Sequence, residues 1–158
     1  MTEVRLGGND NQGDRVTTRA EWQKLADDRI LDAQFHLVVG VDRWSAAFYL
    51  VGYAVECGLK SCIVARVAKR PEVIYEDKKF SMDAWTHDFE RLLLVADIKD
   101  DRDNDSEANP ALYRNWQRVK DWNEQSRYLQ KTRAEAQRLF DAVTDTQNGV
   151  MQWIRARW

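Results

Sequence analysis

Trp44-Ser-Ala-Ala-Phe-Tyr-Leu-Val-Gly-Tyr-Ala-Val-Glu-Cys-Gly-Leu-Lys60 decides the fold. A helix with one side in water shows a polar stripe; this run is apolar nearly all round, so it predicts a central helix packed on several sides. Turn signals extend it from about Asp42, a good N-cap residue, to Lys69, just before Pro71, whose ring restricts the residue ahead of it. Gly52 and Gly58 each cost an isolated helix about 1 kcal/mol relative to Ala, so their use is to let a neighbour approach closely. The most continuous apolar part, around Ala46 to Ala54, is short for a bilayer span, and no membrane partner is expected.

Working outward, Thr18-Arg-Ala-Glu21 has capping-box spacing and opens a first helix near Arg19. Its apolar face is Trp22, Leu25, Ala26, Ala33 and Leu37, and it ends at Gly40. Residues 1–16 hold three of the seven glycines and no apolar period; they read as a disordered leader, leaving 17–158 as one helical domain. After Lys69, residues 71–85 form a connection without period, and Thr86 caps a third helix that runs to Val95. Lys99 to Glu107 carries five acids against two bases and reads as a solvated loop. Pro110 suits the first turn of a fourth helix with Leu112, Trp116, Val119 and Trp122 buried. A polar break at Asp121 to Ser126 precedes a last long helix from Arg127 to the C-terminus, with Gly149 as its weak point. No strand alternation occurs, so the expected fold is all-α: an up-and-down bundle of four long helices plus a short extra one.

At 158 residues the chain has room for one domain, and 44% hydrophobic residues with seven Trp exclude a disordered or collagen-like chain. A net charge of −2 gives no overall attraction to nucleic acid, so any such role needs a local basic face. Cys57 and Cys62 diverge around one helix and read as buried free thiols, and with no signal peptide a reducing cytoplasm is expected. Phosphate-cradling loops, CxxC pairs, HExxH and GxSxG are missing. With two histidines about fifty residues apart, neither a metal site nor a cofactor is expected.

Three groups of residues can carry chemistry. At 100° per residue Tyr49, Tyr53, Glu56 and Lys60 share one stripe of the central helix, either organising a site or forming an internally satisfied Glu–Lys pair with tyrosine hydroxyls. Arg29 and His36 lie on the apolar face of the first helix; they are either a phosphate-stabilising Arg with a proton-transferring His, or a snorkelling Arg with a hydrogen-bonded core His. Arg114 to Arg138 has a net charge of +4. Arg114, Arg118, Lys120, Lys131 and Arg133 are its RNA-binding candidates, and interleaved Trp116, Trp122 and Tyr128 are candidates for base stacking. The bland alternative is a solvated helix with core tryptophans.

The run Ala47 to Lys60, then Thr86-His87 opening a helix, then Trp122-Asn-Glu-Gln-Ser-Arg-Tyr128, resembles the HEPN domain family of small prokaryotic helical proteins, over about residues 19–156. The resemblance implies a symmetric dimer and a role in a toxin–antitoxin or antiphage defence module, often beside a nucleotidyltransferase. It also implies metal-independent ribonuclease chemistry from an Arg and a His separated by four to six intervening residues. Arg127 matches that Arg, but Thr132, Arg133 and Ala134 supply no His, so proton transfer would fall to Tyr128 or to His87 by tertiary approach. Arg29 and His36 have the bare spacing on the wrong helix. The expectation is an atypical HEPN-like protein that binds RNA or a nucleotidyltransferase-type partner. A metal-independent endoribonuclease and a purely structural interaction module are the alternatives.

Overall fold

The computed structural model describes residues 15–39 and 42–158, and these are all-α, with no strand among the described residues. The helices are α1 (Arg19–Val39), α2 (Trp44–Lys69), α3 (Val73–Glu76), α4 (Phe80–Ala84), α5 (Phe89–Ala96), α6 (Lys99–Ala108), α7 (Pro110–Val119), α8 (Arg133–Thr144) and α9 (Val150–Arg155), with a 3₁₀ turn at Glu124–Tyr128. α1 packs along α2, and α5, α8, α9 and the 3₁₀ turn cover the other sides of α2. Ala47, Phe48, Val51, Ala54, Val55, Cys57 and Leu59 are buried at every angle around it. At 26 residues α2 is long and apolar enough to cross a membrane, longer than the apolar stretch read from the sequence, and 78% of its most apolar window is buried by the protein's own helices.

The capping box at α1 forms as spaced: Thr18 Oγ1 accepts from Glu21 N at 3.3 Å, and Glu21 Oε2 accepts from Thr18 N at 2.8 Å. Of the face expected on α1, Ala26, Ala33 and Leu37 are buried, and Trp22 and Leu25 pack against the core. The two α2 glycines differ in their neighbours. A Cβ at Gly58 would sit 2.9 Å from Ile154 of α9, a helix contact, whereas a Cβ at Gly52 would overlap the Trp122 indole, which comes from a loop. Trp122 lies on Gly52, donates from Nε1 to Tyr49 O at 3.0 Å and stacks on Phe89 at 5.0 Å between centroids.

Several boundaries differ from the sequence reading. Asp42 does not cap α2: its φ of 56° is left-handed, whereas a cap needs extended backbone, and Arg43 precedes the helix without a side-chain cap. Asp88, not Thr86, caps the third expected helix, accepting from Glu90 N and Arg91 N at 2.8 and 3.2 Å. Thr86 Oγ1 instead accepts from Asp88 N at 3.2 Å. Residues 71–85 contain the short helices α3 and α4.

The acidic segment from Lys99 is helix α6, not a solvated loop. Asp100 and Asp101 sit in its first turn, where the helix dipole favours carboxylates, and Lys99–Asp103 closes an i,i+4 pair at 2.6 Å. Arg102 is buried and bidentate on Glu90 at 2.9 and 2.7 Å, while Asp105 accepts from Trp153 Nε1 at 2.7 Å and from Arg157 at 2.6 Å.

The last long helix, expected from Arg127, is two helices that begin only at Arg133, with Arg127 itself in the 3₁₀ turn. Asp145 accepts from Gln147 N and Asn148 N at 2.9 and 2.6 Å, forming a turn that Asn109 and Asn115 of the α7 region clamp at 2.8 and 2.9 Å through Asn148. Among the described residues only α1 and α2 are long, at 21 and 26 residues, and no other helix exceeds the 12 of α8. The end of α1 at Gly40 and the leader up to residue 14 lie outside the described residues, while Val16, assigned to that leader, lines a cavity beside Trp22.

Gly52→Ala is expected to cost about 1–3 kcal/mol, the price of overpacking, measured by urea unfolding followed through tryptophan fluorescence. At α8, hydrogen bonds from the Thr132 amide and hydroxyl hold the Glu135 carboxyl down to about 2. Because the folded value lies below the ordinary 4.5, that contribution is full above about pH 4.5 and fades as pH falls toward 2. A carboxyl-carbon NMR titration should find the low midpoint, and Thr132→Val should raise it.

Candidate functional site

Glu56 lies in the middle of α2 and is only 1% exposed. A lone carboxylate there would be severely desolvated, and both of its oxygens are occupied. Oε1 accepts from Lys60 Nζ at 2.8 Å, the i,i+4 partner read from the sequence, and Oε2 faces His87 Nδ1 at 2.9 Å. His87 then reaches outward: its Nε2 lies 3.1 Å from Glu124 Oε2. The result is a chain of polar contacts, Lys60–Glu56–His87–Glu124, running from the buried centre of α2 to the half-exposed 3₁₀ turn.

Local structure aims each member. His87 is fixed between the Thr86 hydroxyl and the Asp88 cap at the start of α5. Glu124 opens a turn closed by reciprocal Asn123 and Ser126 hydrogen bonds, and that turn follows Trp122, anchored on α2. The two carboxylates meet opposite nitrogens of one ring, so they do not converge on a single point, and no metal-binding cluster occurs among the described residues.

His87 and Glu124 stand at a cavity of about 500 Å³ that is also lined by Glu90, Arg102, Lys120 and Trp122. Hydrogen bonds from Arg102 hold the Glu90 carboxyl below its usual range, and Lys120 Nζ lies 3.6 Å from the same carboxylate. The cavity therefore presents an imidazole and an exposed ammonium above a neutralised Arg–Glu floor. Such a surface can bind a polar or anionic group and exchange a proton with it.

Of the remaining seam, Tyr49 and Tyr53 stack at 6.2 Å, half-buried, and burial pushes the Tyr53 hydroxyl up to about 12. The structure thus joins His87 to Glu56 and Lys60, which the sequence placed in separate groups. Arg127 stacks its guanidinium 4.9 Å over the ring of Tyr128, which is 71% exposed, and neither lines the cavity. Arg29 pairs with Asp32 at 2.8 Å; no hydrogen bond joins it to His36, whose Nδ1 is buried without a partner among the described residues.

In the basic segment Trp116 and Trp122 are core residues, 1% and 4% exposed, so they cannot stack bases. Lys131 is also committed, lying 4.5 Å over Phe48 and 3.5 Å from Glu135 with its amide on Ser45 Oγ. Arg114, Arg118 and Arg133 are exposed and without ion pairs among the described residues; Lys120 faces Glu90.

Glu124, Glu90, Arg102, Trp22 and Trp85 were not singled out from the sequence as site residues. Glu124 had one available signal, the Asn-Glu-Gln-Ser turn that follows a tryptophan. No family model, curated protein or solved structure matches the chain.

Glu56→Ala leaves Lys60 buried and His87 without its inner partner, so it is expected to cost about 3–5 kcal/mol in urea unfolding at pH 7. Glu124→Gln removes only a half-exposed partner and should cost below about 1 kcal/mol.

Proposed function

We propose that the chain is an atypical HEPN-like protein that binds single-stranded RNA, in a toxin–antitoxin or antiphage setting. The observation that carries this reading is the set of exposed arginines Arg114, Arg118, Arg127 and Arg133, none held in an ion pair among the described residues, within a net-positive segment. Unpaired guanidiniums are free to track phosphates, and the exposed rings of Tyr113 and Tyr128 lie among them as platforms for bases. The all-α bundle around α2 is compatible with the family that the sequence resembles. A nucleotidyltransferase-type protein with an acidic face would meet the same arginines, and is the alternative occupant.

A second reading, metal-independent cleavage of RNA, draws on a separate observation. The turn that carries Arg127 also carries Glu124, and Glu124 contacts His87. Tertiary approach brings an imidazole to the turn that carries Arg127, whose following residues lack one; Arg127 itself does not line the cavity at His87. In this reading His87 transfers the proton and the exposed cations stabilise phosphate charge. A homodimer is proposed on the exposed stripe Leu31, Phe35, Val38 and Val39 of α1, which recurs at helical spacing.

Binding of a fluorescent single-stranded RNA is expected to weaken as salt rises and to fall at least tenfold in an Arg114→Glu/Arg118→Glu/Arg127→Glu variant, with Lys131→Gln unchanged; equal binding by the triple variant would remove the reading. In EDTA, cleavage lost in folded His87→Ala but kept in Arg29→Ala/His36→Ala would establish the enzymatic reading. Light scattering should return twice the 18.5 kDa chain mass.

A further inference from the structure

The other oxygen of Glu56 leads to a second cavity, of about 220 Å³, on the Lys60 side of the ion pair and distinct from the one at His87. Its lining is apolar apart from Lys60 and Thr17: Val16, Trp22, Ile63, Ala84 and Trp85 form the walls. Lys60 is the exception that matters. Its side chain is 7% exposed, and its ammonium lies 5.4 Å from the Trp22 ring centroid and 5.7 Å from that of Trp85. An ammonium has three protons; one goes to Glu56, and no second oxygen accepts from Lys60 among the described residues. Aromatic faces stabilise the cation without satisfying those protons directionally. Glu56 also faces His87 through its other oxygen, so Lys60 does not have that carboxylate to itself.

We propose that this cavity binds a small apolar monocarboxylate, an aryl or branched aliphatic acid, with its carboxylate on Lys60 and its body between Trp22 and Trp85. The volume is worth about seven water molecules, which limits the ligand to roughly the size of benzoate. A polyanion such as a nucleotide phosphate does not suit it, because a single ammonium already paired with Glu56 faces walls that offer little other polarity. The site depends neither on RNA binding nor on the arginines of the proposed RNA surface.

Sodium benzoate titrated into the full-length chain, followed through the indole N–H signals in ¹H–¹⁵N spectra, tests this. Trp22→Phe and Trp85→Phe assign the two relevant signals. Benzoate is expected to shift both saturably, half-saturating near about 1 mM, and to leave Trp116 and Trp153 unmoved. Benzamide, equal in shape but neutral, should bind at least tenfold more weakly. Lys60→Met should abolish the shifts, and so should Ala84→Leu, which fills the cavity without touching Lys60 and keeps the test decisive where Lys60→Met fails to fold. No saturable shift, equal response to benzamide, or full response in folded Ala84→Leu would each overturn the proposal.

Discussion

A carboxylate buried at the centre of the longest helix is the constraint around which the rest of this structure is arranged. Taking Glu56 out of water is tolerable only while both oxygens are met by polar partners, and one of these, His87, arrives from 31 residues away. The fold must therefore bring the start of α5 against the middle of α2 whenever α2 is buried. Lys60 satisfies one oxygen from within the helix, so the inner half of the arrangement forms locally. The outer half is tertiary, and it ties the registry of α5 and the 3₁₀ turn to a single acid.

Trp122 makes that registry stiff. Its ring lies on Gly52 without a Cβ between them, is pinned by the Tyr49 carbonyl and is stacked on Phe89, the first residue of α5. The same indole thus touches α2 and α5, the two helices that supply or position Glu56 and His87, and it immediately precedes the turn that brings Glu124. The cavity beside His87 has a rigid apolar wall for this reason, and His87 and Glu124 at its mouth sit in turns closed by capping hydrogen bonds.

The parts legible in the sequence are those set by local pattern. The all-round apolarity of α2, the Thr18–Glu21 box, Pro110 in a first turn and the Glu56–Lys60 spacing all depend on residues within four positions of each other. What was not legible depends on distant partners. The helix from Lys99 looked like a loop because its composition is so acidic; Glu90 and the side chains of Trp153 and Arg157, none of them in the segment, answer its charges. Glu124 looked like one acid in a basic run, since only tertiary approach turns it toward His87. The interleaved tryptophans misled in the opposite direction: their spacing among cations is also that of a buried stripe, and Trp116 and Trp122 are core.

Cys57 and Cys62 lie one residue after Glu56 and two residues after Lys60, both shielded, and burial pushes both thiols up to about 12. At neutral pH neither offers a thiolate to an oxidant or alkylating reagent while the bundle is closed. Chemical modification of these sulfurs must wait for the packing around α2 to open. The chain therefore carries an internal clock: the pace at which a thiol reagent consumes its cysteines reports how often the helices surrounding the charged centre separate, with no engineered probe in the protein.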